Sequence, residues 1–137
     1  MKISLKVEYA CRVLAQLARR HGATKLSHIE ELATVESVPA NYLVQILNEL
    51  RNGGLLHSRR GKQGGYALAR PPAEITLLQV VQVVDSDMLD QRASTQGSSG
   101  QAVAETWERI GNLVRDELKS ITLADIQPKD SANMYYI

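Results

Sequence analysis

The first half of the chain alternates between apolar and polar residues at helical spacing. After Ser4, apolar residues recur every three or four positions as far as Ala18, which predicts an amphipathic helix that Ser4 caps and that ends near His21 and Gly22. The sequence SHIE, residues 27–30, has the form of a capping box. It predicts a short second helix that ends near Ala33 or Thr34.

A third helix is predicted between Pro39 and the glycine pair at 53 and 54. Proline fixes φ at a value that suits a first helical turn, the apolar residues at 43, 46, 47 and 50 share one face, and the glycines end the helix. The connection from the second helix is short, so the two helices are predicted to form a helix-turn-helix. The outward face of the third helix would carry Asn41, Val44, Gln45, Asn48 and Arg51.

A β-hairpin is predicted directly after this helix. The segment LLHSRR alternates, GKQGG follows as a loop, and YALA forms the return strand, which Pro71 and Pro72 end. The loop concentrates the cations Arg59, Arg60 and Lys62 among three glycines, whose backbones can take positive φ and approach a surface closely.

The second half is predicted to contain an apolar fourth helix that Thr76 caps, and whose apolar residues on most faces imply burial on more than one side. Residues 85–101 are polar and aperiodic, which indicates a mobile loop. A long helix resumes at Ala102, and Thr122 caps one last turn. Its apolar stripe is too long for one small domain to cover, so pairing with a second chain is predicted through Val103, Trp107, Ile110, Val114, Leu118 and Ile121.

These elements give a mainly α fold with a small β-hairpin. The predicted division is a winged helix-turn-helix domain over 1–84, the loop over 85–101, the dimerisation helix and short terminal helix over 102–126, and a tail over 127–137.

Charge is distributed unevenly along the chain, although the 137 residues have a net charge of only +1. Residues 1–72 carry eleven Lys or Arg against five Asp or Glu, whereas residues 73–137 carry five against ten. This asymmetry favours a polyanionic partner for the first half; solvated helix faces are the alternative. The sequence shows neither a membrane-spanning apolar run nor a signal peptide, so we expect a cytoplasmic protein. The single cysteine, Cys11, is interpreted as a buried small apolar residue.

A helix-turn-helix followed at once by a basic hairpin predicts binding to double-stranded DNA. A helix fits the major groove, which is roughly 12 Å wide, and reads base edges there, while a thin basic hairpin follows phosphates or enters the minor groove. Asn41 and Gln45 can pair with an adenine edge, and Tyr42 can bind a phosphate; an ordinary surface role remains the alternative for each. The predicted DNA-binding residues are Lys6, Asn41, Tyr42, Gln45, Arg51, Arg59, Arg60, Lys62 and Gln63.

Catalytic and metal-binding patterns are missing from the sequence. His21, His28 and His57 are scattered without metal-ligand spacing, and the glycine loop precedes no helix and contains no G-K-[ST]. The sequence therefore predicts neither an enzyme nor a metal site.

Three segments resemble the Rrf2 family of bacterial winged-helix repressors, which includes regulators of iron–sulfur clusters, nitric oxide responses and cysteine metabolism. They are KISLKVEYACRVLAQLA, the stretch from NYLVQILNELRNGGLLHSRRGKQGGYALARPP to VVQVVD, and TWERIGNLVRDELKSITLADI. The resemblance implies a homodimer built on the helix from Gln101 to Ser120, with two recognition helices in successive major grooves of a pseudo-palindrome. It places DNA contacts at Lys6, around Asn41 to Gln45, and at Arg60 and its neighbours.

The chain departs from the family pattern at several positions. Many members hold an iron–sulfur cluster through three cysteines in the loop before the dimerisation helix, and the corresponding segment here has none, so no cofactor is expected. Val44 and Glu8 stand where relatives often carry Glu and Arg, so the family's operator preference does not transfer directly. Two alternatives stay open: a protein-interaction adaptor without specific DNA readout, and DNA binding controlled by a small-molecule or protein effector near the 85–101 loop.

Overall fold

The computed structural model describes residues 2–90 and 94–129, and in these residues the chain forms six α-helices and one two-stranded antiparallel sheet. Residues 91–93 of the predicted loop and 130–137 of the predicted tail lie outside the described residues. The mainly α class with a small hairpin is confirmed. The elements are α1 Leu5–Arg19, α2 Ile29–Glu36, α3 Ala40–Asn52, β1 Leu56–Arg59, β2 Gly65–Leu68, α4 Leu77–Val84, α5 Gly100–Ser120 and α6 Leu123–Ile126, with short 3-10 turns at Pro72–Glu74 and Ser86–Leu89.

The core lies where α1, α3, α4 and α6 meet. Ser4 begins α1 as predicted, because its side chain accepts a hydrogen bond from the amide of Val7 at 3.3 Å. The buried faces of these helices supply leucines that are fully enclosed, among them Leu14, Leu47 and Leu123. Leu123 belongs to α6, so even this four-residue helix is part of the core that fixes the orientation of the others.

The end of α5 is anchored to the start of α4 by backbone hydrogen bonds. The amide of Leu77 donates to the carbonyl of Ile121 at 2.9 Å, and the amide of Leu123 donates to that of Ile75 at 2.9 Å. The predicted caps are present on both sides, since Thr76 and Thr122 each begin a helix in a capping box. The long helix is therefore attached to the first domain at its carboxyl end.

The predicted capping box at Ser27 is wrong. His28 is the N-cap of α2, and Ser27 instead pairs with β2: its amide donates to the carbonyl of Tyr66 at 3.0 Å and its carbonyl accepts from the amide of Tyr66 at 2.8 Å. The Ser27 hydroxyl accepts from Arg20 at 3.1 Å. The two backbone hydrogen bonds to β2 fix the position of Ser27, so it does not cap α2. The helix also runs on to Glu36, beyond the predicted end.

The hairpin has the predicted strands, with Leu56 opposite Leu68 and Arg59 opposite Gly65. Its glycines serve the chain's own packing. Gly65 has φ +140, and a Cβ there would lie 2.5 Å from the Ser27 carbonyl oxygen; one at Gly64 would lie 2.1 Å from that of Arg59. Of the three hairpin glycines, only Gly61 is required solely by the turn, because its φ is +101 and a Cβ there would meet open space. The close approach allowed by two of the glycines is thus to neighbouring backbone.

Two boundaries differ from the sequence-based expectation. Pro39 is the N-cap of α3 and not its first helical residue. The 3-10 turn Ser86–Leu89 falls inside the segment predicted as an aperiodic loop, and α5 begins at Gly100 before the predicted Ala102.

The fourth helix is buried on more than one side, as expected, because it packs against α1, α3 and α5. No helix among the described residues is long and apolar enough to cross a membrane.

Candidate nucleic-acid interface

The outward face of α3 is a polar surface centred on two amide side chains. Asn41 and Gln45 are exposed, because Leu43 and Leu47 bury the opposite face of the helix. The two amides are four residues apart, which places them on one face a turn apart. Neither makes a hydrogen bond within the described residues, so both can donate and accept at a base edge. Val44 lies beside them, 43% exposed, and can contact a thymine methyl group.

The hairpin presents cations whose charge the fold does not compensate. Arg59, Arg60, Lys62 and Gln63 are exposed, and none of the three cations forms an ion pair within the described residues. The turn is closed by a hydrogen bond from the amide of Gly64 to the carbonyl of Gly61 at 2.9 Å. Uncompensated charge on a thin loop is what binding to phosphates requires.

Arg51 joins the helix to the hairpin. Its guanidinium reaches the Ser58 hydroxyl on β1 at 3.5 Å, a long hydrogen bond. Both residues are exposed, so this contact leaves the remaining donors of Arg51 open to solvent. Arg51 thus lies at the junction of the helix and hairpin surfaces.

Lys6 has an intramolecular partner that the sequence did not reveal. Its ammonium donates to the Glu49 carboxylate on α3 at 2.6 Å, and both side chains are partly exposed. The second oxygen of Glu49 is buried without a hydrogen-bond partner. The charge of Lys6 is therefore already matched inside the fold, and a phosphate must compete with Glu49 for it.

Tyr42 is half-buried, and packing fixes its ring. It meets the ring of Tyr9 edge-on, with centroids 5.6 Å apart, and Arg12 lies 5.5 Å from the centroid of the Tyr9 ring. The hydroxyl of Tyr42 makes no hydrogen bond within the described residues. The hydroxyl therefore has its hydrogen-bonding capacity available for the predicted phosphate contact.

A basic cleft extends this surface past the hairpin to residues that sequence reasoning missed. The cleft has a volume of about 440 Å³ and lies between the hairpin turn and the start of α2. Lys25 and His28 line it opposite Lys62 and Gln63. Arg20 also lines it, but its charge is paired with Glu31 at 2.9 Å. No local signal could have linked Lys25 to the hairpin, because the link depends on the long-range pairing of Ser27 with Tyr66.

A second surface lies on α5. Val103 and Trp107 are each 51% exposed and Ile110 is 38% exposed, whereas Val114, Leu118 and Ile121 are half-buried. Leu118 packs against the core of its own chain. The sequence-based stripe omitted Leu113, which at 64% is the most exposed large apolar residue of the four.

The single cysteine, Cys11, lies in α1 and is only half-buried. Burial, with a smaller contribution from the negative charge of Glu8, raises the pKa of the Cys11 thiol to about 11. The thiol packs against the core and remains protonated at neutral pH. The predicted apolar role is therefore compatible with its chemistry, although the residue is less enclosed than expected.

The turn between α2 and α3 spans residues 37–39, and α3 leads directly into a basic antiparallel hairpin. A helix-turn-helix with such a hairpin defines the winged helix-turn-helix class of DNA-binding proteins. Within this class the chain belongs to the Rrf2 family: the family model, described as an iron-dependent transcriptional regulator, matches residues 3–129.

Known relatives resemble this chain over nearly its whole length. The HTH-type transcriptional regulator CymR of Bacillus subtilis is 33% identical over 141 aligned residues that cover 100% of both chains. The solved structure of CymR, described as the global cysteine regulator of B. subtilis, superposes with a TM-score of 0.82 at 31% identity over 93% of this chain and 96% of that one. The structure of IscR from T. potens gives a TM-score of 0.74 at 31% identity over 99% and 97%. The protein is a DNA-binding transcriptional regulator and not an enzyme.

The donor atoms of this chain do not fit an iron–sulfur cluster held by cysteines. Such clusters require several thiolates, and the chain has one cysteine, Cys11, whose pKa is raised and which lies in α1. Within residues 2–90 and 94–129 no group of three or more His, Cys, Asp or Glu side chains could hold a metal ion. The family's iron dependence is therefore not carried by a cysteine-ligated cluster in this chain.

Proposed function

We propose that this protein is a cytoplasmic repressor that binds a pseudo-palindromic operator as a homodimer, without an iron–sulfur cluster. The observation that carries the proposal is the pair of adjoining surfaces described above. One holds amides that make no hydrogen bonds within the described part of the chain, and the other holds cations without ion pairs there. Base recognition needs the first and phosphate binding needs the second.

In the proposed complex, α3 lies in the major groove. Asn41 and Gln45 each pair with an adenine edge, and Val44 between them contacts a thymine methyl group. The hairpin follows the adjacent backbone, with Arg60 reaching the minor groove and Arg59, Lys62 and Gln63 binding phosphates. Arg51, Tyr42 and Lys6 hold the backbone beside α3. Lys25 and His28 would then continue the phosphate path along the basic cleft.

The homodimer is proposed from the exposed apolar side chains of α5. Four large apolar side chains exposed along one helix are the kind of surface that often marks a protein–protein interaction site. Pairing α5 with its counterpart about a two-fold axis would cover Val103, Trp107, Ile110 and Leu113. Residues 1–84 would form the DNA-binding unit and residues 102–126 the dimerisation unit. Such a dimer presents two recognition helices to half-sites roughly 34 Å apart, one turn of DNA.

Repression would follow from occupancy. A dimer seated on two successive major grooves prevents RNA polymerase from using a promoter that overlaps the operator. The rate of transcription would then depend on the affinity for the operator, so an effector that lowers this affinity would relieve repression.

The proposal is tested by measuring equilibrium binding to duplex fragments from upstream of the protein's own gene and to random duplexes of equal length, over a series of salt concentrations. We expect a preference of at least ~10³ for one fragment and a steep fall of log K with log[salt]. Equal affinity for all fragments would contradict it and favour the alternative, an adaptor that uses the same fold to bind proteins.

The Lys6–Glu49 pair provides a separate test of the proposed backbone contacts. Glu49→Gln keeps the shape of the side chain but removes the charge that holds Lys6. We expect the variant to bind DNA more tightly at low salt and with a steeper salt dependence, because Lys6 becomes free to neutralise a phosphate. Glu117→Gln on the exposed face of α5 is the matched control. An unchanged salt slope in Glu49→Gln would exclude Lys6 from the interface.

A further inference from the structure

A polar cleft of about 590 Å³ is lined by residues of the second half of the chain and by none of the basic hairpin. It is formed where the end of α4, the 3-10 turn Ser86–Leu89 and the middle of α5 come together. Most of its lining is charged or carries an amide: Asp87, Asp90, Glu108, Arg115, Gln82 and Asn112. A cleft of this volume is within the usual range for small-molecule sites, roughly 300–1,000 Å³.

The charges of Asp87, Glu108 and Arg115 in this cleft are of both signs and form no ion pair with one another. Glu108 and Arg115 lie on one face of α5 but are seven residues apart, which corresponds to about 10.5 Å along the helix axis. Neither they nor Asp87 form an ion pair within the described residues. Elsewhere the protein brings opposite charges into contact. Glu8 and Arg12 are four residues apart on α1, and the Arg12 Nε lies 3.1 Å from the Glu8 Oε1. A ligand with charged groups of both signs can therefore bridge these separate side chains.

The cleft is not part of the proposed dimer surface. With 3.6 residues per turn, the centre of the Glu108, Asn112 and Arg115 face lies roughly 130° around α5 from the apolar stripe. The stripe and the cleft can be occupied at the same time. The lining also differs from a metal site, because within the described ranges no set of three carboxylate, thiol or imidazole groups converges on one point.

We propose that this cleft binds a cationic amino acid, a molecule with two amino groups and one carboxylate. Among the lining charges, Asp87 and Glu108 bring two carboxylates and Arg115 brings one guanidinium, and a ligand of this class brings two positive groups and one negative. The ligand carboxylate would pair with Arg115 through a two-point contact, and its amino groups with Asp87 and Glu108. Asn112 and Gln82 supply amide donors and acceptors between them.

The cleft is placed so that occupancy would affect DNA binding; this step rests on the proposed function. One wall is formed by Gln82 of α4 and the segment that follows this helix, and the other belongs to α5. Helix α4 packs against α1 and α3 of the DNA-binding unit. A ligand that bridges the two walls would fix the angle between them. Because the dimer is proposed to form on α5, this angle would set the separation of the two recognition helices.

The site is tested first without DNA, by calorimetric titration of the full-length protein with L-lysine. Cadaverine lacks the carboxylate and L-norleucine lacks the side-chain ammonium, so each isolates one part of the recognition. We expect saturable lysine binding, about tenfold or more tighter than binding of either analogue, since each analogue loses a charge-assisted contact. Absence of saturable lysine binding, or equal affinity for lysine and cadaverine, would overturn the site.

Substitutions assign the two ends of the ligand. Arg115→Gln should remove the preference for lysine over cadaverine, whereas Glu108→Gln should weaken both about equally. Arg109→Gln, an exposed α5 residue outside the cleft, is the matched control and should change neither. An Arg115→Gln variant that still prefers lysine tenfold would contradict the assignment.

A second titration, of operator DNA with and without lysine, tests the regulatory step alone. A changed affinity supports it, and lysine binding with unchanged DNA affinity would overturn regulation but retain the site. Because the first titration contains no DNA, a failure of the proposed DNA-binding function would leave its outcome unaffected.

Discussion

Arg60→Gln is the substitution that most directly tests the role of the hairpin. Arg60 lies at the start of the glycine turn, is exposed, and makes no ion pair or hydrogen bond within the described residues. Its replacement therefore removes a positive charge without removing a contact of the fold. Exposed substitutions of this kind usually change the free energy of unfolding by less than about 0.5 kcal/mol.

The size of the effect on DNA binding follows from the number of charges removed. Each phosphate contact contributes about 0.9 to the slope of log K against log[salt], and a homodimer carries the substitution twice. An arginine in the minor groove also lies near the phosphates that border the groove. If each copy of Arg60 neutralises one of these phosphates, the slope should become shallower by about 1.8. Loss of a groove contact would in addition weaken binding by roughly 1–3 kcal/mol per half-site.

The measurement is fluorescence anisotropy with a labelled operator duplex at several salt concentrations, together with a thermal melt of each protein. Lys119→Gln in the last turn of α5 is the control, since it removes the same charge from an exposed position far along the chain from the hairpin. The reasoning is refuted if Arg60→Gln leaves the slope unchanged, or if Lys119→Gln reduces it equally.

Three further predictions concern the dimer, the hairpin and the cysteine. Trp107→Ala should weaken dimerisation by about 2 kcal/mol or more in free energy of association. Light scattering should then show a shift from dimer to monomer with helical content unchanged, and a persistent dimer would refute the role of α5. Gly65→Ala should lower the free energy of unfolding by more than about 3 kcal/mol, because its Cβ would meet the Ser27 carbonyl, whereas Gly54→Ala, with φ +81 and open space around it, should cost only about 1 kcal/mol; equal losses in denaturant titrations would contradict this. The alkylation rate of Cys11 should keep rising up to about pH 11, and the stability contributed by its protonated form, present below pH 9, should be lost between pH 9.0 and about 11; a rate that levels off near pH 9 would be inconsistent with the raised pKa.

The sequence predicted those elements whose determinants are local. Ser4 and Thr76 each cap a helix through a side chain a few residues from the amide it accepts, and the alternation of the hairpin lies within one short segment. The helix-turn-helix and the basic loop could be recognised for the same reason. Ser27 marks the limit, because a local capping motif there is overridden by backbone pairing with Tyr66, far away in sequence.

The candidate site shows the same limit. Exposure of Asn41, Gln45 and Arg60 followed from helical periodicity and from the turn. The pairing of Lys6 with Glu49 did not, because forty-three positions separate the two residues and only the packing of α1 against α3 brings them together. Lys25 was missed for an equivalent reason.

The central claim is that two copies of this chain grip duplex DNA with paired helix and hairpin surfaces. Selection of bound duplexes from a randomised library by the purified full-length protein tests it most directly. We expect enrichment of an inverted repeat whose half-site centres are about 10–10.5 base pairs, or a small multiple of that distance, apart. Enrichment of single, unpaired half-sites, or of no sequence, would contradict it.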